Sequence, residues 1–191
     1  MITGFLAGEV DATSLTKHQT LDIAVAVRGR RALRIAGGDG DDIIHGALNG
    51  KVSGLVGGAG DDTLVGEGGQ TTFAGGLGSD RIVFKGDDDQ ASFTKADSSP
   101  DAYDVIEGFR GSFDGARNRL LLYIDSDETK RGYQHDFHLG ATPGRVGDII
   151  IHYDAAIDHT IVDVFTNTDD TPDFTLHLTG DIPLALADFA I

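Results

Sequence analysis

Three nine-residue segments of the chain place glycines and carboxylates at matching positions, and these residue types suit the binding of a hard cation. The segments begin at Gly37, Gly57 and Gly75, and each has an aspartate at its sixth position and an apolar residue at its eighth. Glycine lets the backbone take positive φ, so carbonyl oxygens can turn toward one point. Calcium prefers about six to eight oxygen ligands from carboxylates and carbonyls. The segments therefore predict calcium sites in glycine-rich loops.

The period of these segments indicates which elements must position the loops. If two nine-residue copies make one turn with two short strands, loops eighteen residues apart stack on one face, as Gly57 and Gly75 do. Gly37 and Gly57 are twenty residues apart, which predicts a two-residue insertion in the intervening copy, 46–56. Apolar residues recur with the same spacing as the loops, and we expect their side chains in the core of the roll: Ile35, Ile44, Leu55, Leu64, Phe73 and Ile82. The sequence thus predicts an all-β fold built on a parallel β-roll.

The intervening copies have lost the acidic residue. Segments 46–56 and 66–74, and a leading copy at 28–36, lack an aspartate at the sixth position. We therefore expect a roll of about three turns with one calcium face and one metal-poor face.

Composition excludes several classes of function. The net charge of −16 and the pI near 4.5 argue against nucleic-acid binding, which needs a basic surface. There is no cysteine, so disulfides and thiolate metal sites are excluded. The amino terminus lacks the basic region of a signal peptide, and no apolar run approaches the length of a membrane span. If the protein leaves the cell, its export signal should lie elsewhere.

Strand patterns divide the chain into three predicted parts: an N-terminal cap (1–27), the roll (28–84) and a C-terminal β cap (85–191). The cap contains an alternating stretch at 21–27, and a polar linker at 85–102 follows the roll. We expect the remainder to form an antiparallel block that closes the roll. Its candidate strands are 103–109, 119–124, 148–153, 160–165 and 173–179, with one helical turn at 184–188.

At this point the chain resembles the C-terminal domain of the serralysin family, secreted bacterial metalloproteases with an RTX β-roll. The glycine-rich repeats carry the resemblance, together with segments 97–109 and 147–180. The ending Asp188-Phe189-Ala190-Ile191 is similar to the uncleaved type I secretion signal of that family. The resemblance implies export by an ABC-type machinery and a secreted protein. No His-Glu-x-x-His motif is present, so the protease chemistry of the family is not expected here.

The resemblance also implies ligands for two to three calcium ions. The first site would take Gly38, Gly40 and Asp42, opposed by Gly57, Ala59 and Asp62. The second would take Gly58, Gly60 and Asp62, opposed by Gly75, Leu77 and Asp80, so that Asp62 bridges two ions. A third would combine Gly76, Gly78 and Asp80 with the side chains of Asp97 and Asp104.

Other clusters favour structural interpretations. The pair His135 and His138 lies three residues apart, so the two side chains would face opposite ways on a strand, and we expect these and the other C-terminal histidines on strand surfaces. The acidic segment 167–173 lacks the glycine and glutamate of an EF-hand loop and is predicted to be a turn. The arginines of 28–34 would hold a polyanion or, as we favour, neutralise the carboxylates of the roll.

The sequence therefore predicts a secreted calcium-binding RTX module whose folding is coupled to extracellular calcium, without enzymatic activity. One alternative is a carbohydrate-binding module similar to the RTX modules that follow alginate epimerase domains, with an anionic polysaccharide as partner. The other is a surface-layer or matrix protein that self-associates through calcium.

Overall fold

A computed structural model describes residues 8–11, 22–24, 33–46, 53–124, 136–140 and 145–191. Within these ranges the chain forms strands and two short 3-10 turns, η1 (Ser112–Asp114) and η2 (Leu186–Asp188). None of the helical segments in the described ranges is long and apolar enough to cross a membrane. The predicted all-β class is confirmed, and η2 lies where a single helical turn was expected.

The strands follow one another at short intervals along the chain. They are β1 (Gly8–Asp11), β2 (Asp22–Ala24), β3 (Leu33–Asp39), β4 (Ile43–His45), β5 (Ser53–Ala59), β6 (Thr63–Val65), β7 (Thr71–Leu77), β8 (Arg81–Val83), β9 (Gln90–Thr94), β10 (Asp104–Glu107), β11 (Arg119–Tyr123), β12 (His138–Gly140), β13 (Asp148–Asp154), β14 (His159–Val164), β15 (Phe174–Thr179) and β16 (Phe189–Ala190). Sheet A has the order β1-β3-β5-β7-β9-β11-β16, and sheet B has the order β12-β13-β14-β15-β10-β8-β6-β4-β2. Successive strands of the roll therefore alternate between the two sheets.

The parallel register reproduces the period of the sequence. Gly38 pairs with Gly58 and Gly58 with Gly76, at offsets of twenty and eighteen residues. The six apolar residues that keep this step are all buried between the sheets, with at most 2% of any of them exposed. Because they stack on their equivalents in the next turn, the apolar interior is continuous along the roll. The predicted β-roll and its core are confirmed.

The parallel sheets extend beyond residues 28–84 in both directions. Strands β1 and β2, within the predicted cap, pair in parallel with β3 and β4. The predicted polar linker contains β9, and β10 and β11 pair in parallel with β8 and β9. The expectation that β10 and β11 are antiparallel was wrong. Their inward residues Ile106 and Leu120 continue the buried stack with Ala91, although the preceding loops lack the Gly-Gly-x-Gly pattern that marks the repeat.

Strands β13, β14 and β15 form the expected antiparallel block. The block joins the roll because β15 pairs in parallel with β10. Phe174 on β15 lies against Phe93 on β9, with ring centroids 5.7 Å apart in an edge-to-face arrangement. The interior of the roll thus continues into the block and positions the loop before β10.

Candidate metal centre

The sixth-position aspartates form one column along the roll, which we call the aspartate column: Asp42, Asp62, Asp80 and Asp104. The N–H of Asp42 donates to Oδ1 of Asp62 at 2.8 Å, and the N–H of Asp62 donates to Oδ1 of Asp80 at 2.9 Å. The N–H of Asp80 donates to Oδ1 of Asp104 at 2.8 Å. Each of these side chains is at most 1% exposed. The stacking of the loops therefore brings the predicted carboxylates together at their expected places.

The second carboxylate oxygen has a different environment. Oδ2 of Asp62, Asp80 and Asp104 is buried and accepts no hydrogen bond from the described residues. Burial first, and then neighbouring carboxylates, raise the pKa of Asp62 to about 7, of Asp80 to about 6 and of Asp104 to about 8. A buried carboxylate oxygen without a partner is costly, and a cation would compensate the charge of all three side chains.

Glycines shape the loops around these oxygens. Gly58 and Gly60 have φ values of +136° and +128°, which L-residues with a Cβ rarely adopt. A Cβ at Gly58 would also collide with the carbonyl oxygen of Gly38 in the preceding turn. Oδ2 of Asp62 lies against Gly57, and the carbonyl oxygen of Gly75 lies against the same glycine. The glycines thus allow a carboxylate and the carbonyl of the next loop to approach each other.

Backbone contacts locate other predicted ligands. The carbonyl oxygen of Ala59 accepts the N–H of Gly40 at 2.6 Å, and that of Leu77 accepts the N–H of Gly60 at 2.8 Å. A carbonyl oxygen has two lone pairs, so each retains acceptor capacity for a cation. The pairs Gly38–Gly58 and Gly58–Gly76 lie in register beside them.

Asp97 and Asp104 were predicted to bind a third ion, and their carboxylates differ in the hydrogen bonds that they accept. The N–H of Asp104 donates to Oγ of Ser98 at 2.8 Å, which fixes Asp104 at the end of the aspartate column. Both oxygens of Asp97 accept hydrogen bonds from Thr94, at 2.7 Å from its N–H and 2.9 Å from its Oγ1. The charge of Asp97 nevertheless contributes to the raised pKa values of Asp80 and Asp104. Asp97 lies near the end of the column, but in this conformation its carboxylate closes its own turn.

The opposite face of the roll has its own buried carboxylate, Asp89, which the sequence prediction missed. Its Oδ1 accepts the N–H of Thr71 at 2.8 Å, and its Oδ2 accepts the N–H groups of Lys85 and Gly86 at 3.0 and 2.8 Å. The N–H of Asp89 donates to Oδ1 of Asn118 at 3.0 Å. Both carboxylate oxygens are therefore satisfied by the protein. Asp89 holds the sixth position of segment 84–92, but that segment has one glycine and does not resemble the repeat.

The residues of the aspartate column fit a calcium ion better than a transition metal. Among the residues that the structure describes, no three His, Asp or Glu side chains converge as a preformed metal site. Each loop instead supplies one buried carboxylate oxygen and a set of backbone carbonyls. All of these donors are oxygens, which hard cations such as calcium prefer.

The other candidate clusters have structural partners. His138 pairs with Asp148 at 2.7 Å, whereas His135 and the arginines at 28, 30 and 31 lie outside the described residues. In the acidic turn, Asp173 accepts hydrogen bonds from Thr166 and Asn167, which supports the predicted turn. The expectation of surface histidines was wrong for His177, which is 5% exposed and stacks on Tyr103. Burial first, and then His159 and His152, lower the pKa of His177 to about 4.

Comparisons with known proteins were made by sequence and by structure. Neither a protein family nor a curated protein matches this chain. Among solved structures, the AlgE6R2 subunit of a mannuronan C5-epimerase from Azotobacter vinelandii is 22% identical; the match covers 78% of this chain and 86% of that subunit, with a TM-score of 0.56. The AlgE6R3 subunit of the same enzyme is 20% identical, and the match covers 96% of this chain and 78% of that subunit with a TM-score of 0.36. The similarity to AlgE6R2 establishes that the two chains share a fold.

Proposed function

We propose that this chain is a calcium-binding β-roll module that calcium folds outside the cell. The observation that carries the proposal is the set of buried oxygens, Oδ2 of Asp62, Asp80 and Asp104, that accept no hydrogen bond. Two to three ions would be held by these carboxylates and by carbonyls of the stacked loops. The function is binding rather than catalysis.

Calcium supplies positive charge and oxygen coordination to loops that otherwise bury like charges. Without it, ionised carboxylates of the aspartate column oppose the stacking of successive turns. Binding to the native state alone stabilises that state by about 2.7 kcal/mol per site when calcium is a hundredfold above its Kd. Extracellular calcium modules bind at about 10⁻⁴–10⁻³ M, so the chain would stay loosely folded in a calcium-poor cytosol.

Calcium titration followed by far-UV circular dichroism tests this proposal. Starting from metal-free protein, we expect a gain of β signal that saturates with calcium and a much weaker response to an equal concentration of magnesium. Magnesium is the matched control because it has the same charge but demands a smaller octahedral site. An equally structured chain in excess chelator would contradict the coupling of folding to calcium.

We further propose that the protein is secreted from a bacterium by type I (ABC) secretion machinery that reads Asp188–Ile191. In the folded chain Phe189 is buried, and β16 pairs with β11. A signal in this segment would therefore have to be read before the module folds, which agrees with folding outside the cell. The likeness of the repeats to the serralysin family supports this route. Deletion of residues 188–191 should abolish export from a host that carries the exporter, whereas the chain should still accumulate inside the cell.

A second candidate function is the binding of an anionic polysaccharide. The shared fold with AlgE6R2, a subunit of an enzyme named for mannuronan, favours it. Isothermal titration of the calcium-loaded protein with oligomannuronate tests it, with a neutral glucan oligomer as control. Binding of both oligomers, or of neither, would count against recognition of an anionic polysaccharide.

A further inference from the structure

A groove of about 420 Å³ opens beside sheet A, away from the aspartate column. The residues that matter for its chemistry are Gln70, Gln90, Ser112, Arg117, Asn118 and Arg119. We propose that this groove, which we call the Arg119 groove, binds the carboxylate of an acidic sugar residue. The inference rests on the second candidate function, the binding of an anionic polysaccharide, and assigns it a site.

Hydrogen-bond donors dominate the groove. Arg119 donates from Nη2 to the carbonyl of Ala187 at 3.3 Å, which leaves its other N–H groups for a ligand. Arg117 has an 85% exposed side chain and lies beside it. A planar guanidinium matches a carboxylate through two parallel hydrogen bonds.

Asn118 adds a second, independent observation. Its side chain is 1% exposed, and Oδ1 accepts the N–H of Asp89 at 3.0 Å, which fixes the orientation of the amide. The remaining nitrogen, Nδ2, has no acceptor among the described residues. A buried donor without a partner is costly, and an oxygen of a bound ligand or a water would satisfy it.

The two acidic residues of the groove have partners of different strength. Asp188 is buried, and its two oxygens accept the N–H groups of Ser112 and Ala185 at 2.6 and 2.8 Å. Asp88 lies 3.9 Å from Nε of Arg117. Within the described part of the chain, Arg119 has no such carboxylate partner. Its charge is therefore the one most available to an anion.

The outer face of sheet A extends the groove with small and uncharged side chains. Arg119 pairs in register with Gln90, and Gln90 with Thr72. The outward positions on the neighbouring strands include Gly54, Val56, Ala74 and Ser92, and none is acidic in a chain with 31 acidic residues. Strands lie about 4.8 Å apart, so the step from β7 to β11 spans about 10 Å. On β5, β7 and β9, therefore, these outward positions present no carboxylate to an extended acidic oligosaccharide; the exposed carboxylate of the groove is Asp88, beside Arg117.

Titration calorimetry of the calcium-loaded protein tests the proposal, with oligomannuronate as the probe. We expect Arg119→Gln to weaken binding by about tenfold or more, because a charge-assisted hydrogen bond is lost. Arg145→Gln is the matched control; Arg145 is exposed near β13, and its described hydrogen bonds, both with Asp148, involve its backbone N–H and carbonyl and not its side chain. Thermal melts in calcium should be the same for both variants, which excludes a loss of fold.

The outcomes separate this site from the functions on which it depends. Loss of affinity in Arg119→Gln but not in Arg145→Gln supports the groove. Equal affinity of Arg119→Gln and the parent chain overturns the groove and leaves polysaccharide binding in place. Absence of binding to the parent chain, with normal calcium binding, overturns both the groove and the second candidate function. Competition by sodium acetate at the same concentration as oligomannuronate would overturn the recognition of a sugar and leave a simple carboxylate site.

Discussion

The aspartates of the column divide their two oxygens between fold and ligand. Oδ1 of Asp62 accepts the N–H of Asp42 and so ties one turn to the next. Oδ2 accepts no hydrogen bond and lies against Gly57. Oδ1 therefore stabilises the stacking of the turns, and Oδ2 is the proposed calcium ligand. An asparagine keeps the first oxygen and replaces the second with a nitrogen, so it tests the two roles separately.

Asp62→Asn should therefore have opposite effects with and without calcium. In saturating calcium we expect a loss of up to about 5 kcal/mol in the free energy of unfolding, since under the proposed assignment two sites at about 2.7 kcal/mol each would share this residue. In metal-free buffer we expect a small gain, because a buried charge is removed while Oδ1 still accepts its hydrogen bond. Urea unfolding in the two buffers measures both effects.

Asp61→Asn is the matched control for that experiment. Asp61 is exposed, and its Oδ1 accepts the N–H of Ser79 at 2.8 Å, which an amide oxygen also does. The free energy of unfolding of the Asp61→Asn variant should differ from that of the parent chain by less than about 0.5 kcal/mol in either buffer. If Asp62→Asn bound calcium like the parent chain, the assignment of Asp62 to two sites would be wrong.

At the same scale, the sequence predicted some of the buried polar residues that stack or close the loops and missed others for a physical reason. Asp42, Asp62 and Asp80 were predictable because glycines recur in phase with them. Asp89 and Asn118 could not be predicted. Backbone N–H groups satisfy the Asp89 carboxylate, so its loop needs no glycine-rich pattern that would mark it in the sequence. Their roles depend on atoms that only the fold brings together.

At the scale of elements, the two faces of the roll are held by different interactions. The loops before β4, β6, β8 and β10 stack through the aspartate column, in which Oδ2 of Asp62, Asp80 and Asp104 accepts no hydrogen bond from the described residues and would be balanced by the proposed calcium. The loop before β9 is closed by Asp89, which accepts hydrogen bonds from Lys85 and Gly86 of its own loop and from Thr71 of the preceding turn. Under the proposed function the aspartate column would therefore need calcium, whereas the Asp89 loop is satisfied by the chain itself.

This contrast predicts that Asp89→Asn destabilises the protein whether or not calcium is present. The amide nitrogen would face the N–H groups of Lys85 and Gly86, which would then lose their acceptor. We expect the free energy of unfolding to fall by about 3 kcal/mol, the cost of leaving such donors unsatisfied. Urea melts of the variant in calcium and in chelator measure the loss. A loss confined to calcium-loaded protein would instead assign Asp89 to a calcium site.

The limits of prediction at this scale lie in the pairing of strands. The apolar alternation predicted β10 and β11 as strands, but alternation alone does not distinguish parallel from antiparallel partners. Their parallel pairing depends on Ile106 and Leu120 continuing the interior stack of the roll. The antiparallel pairing of β13 and β14 was predictable because the short turn at 155–158 permits only an antiparallel return.

At the scale of the whole molecule, acidic charge makes the fold sensitive to pH. The pKa values of Asp62, Asp80 and Asp104 lie at about 7, 6 and 8 in the folded chain, against about 4 in the unfolded chain. Between about pH 4 and pH 8 the metal-free folded state thus binds more protons, so its stability falls as pH rises. The lowered pKa of His177 makes stability rise with pH below about pH 6.5. This single group is outweighed by the three aspartates.

We therefore expect metal-free protein to melt at a higher temperature at pH 5 than at pH 8. Calcium competes with the same protons, so its apparent affinity should increase from pH 5 to pH 8. Thermal melts and calcium titrations at both values of pH measure these effects. A metal-free chain that is more stable at pH 8 than at pH 5 would show that the column does not bury these carboxylates.

The difference between the aspartate column and the Asp89 loop predicts that calcium removal opens some parts of the molecule more than others. The hydrogen bonds of the Asp89 loop come from the chain itself, whereas the loops 57–62 and 75–80 would lose the proposed calcium charge that balances Asp62 and Asp80. Regions of a protein can open with different free energies, and amide exchange reports them separately. After chelation at neutral pH we expect the amides of Asp62 and Asp80 to exchange about a hundredfold faster. The amides of Thr71 and Asp89, and those of β14, should change by less than about tenfold. A uniform increase at all of these amides would show that calcium controls one cooperative unit, and the two faces would then not be energetically distinct.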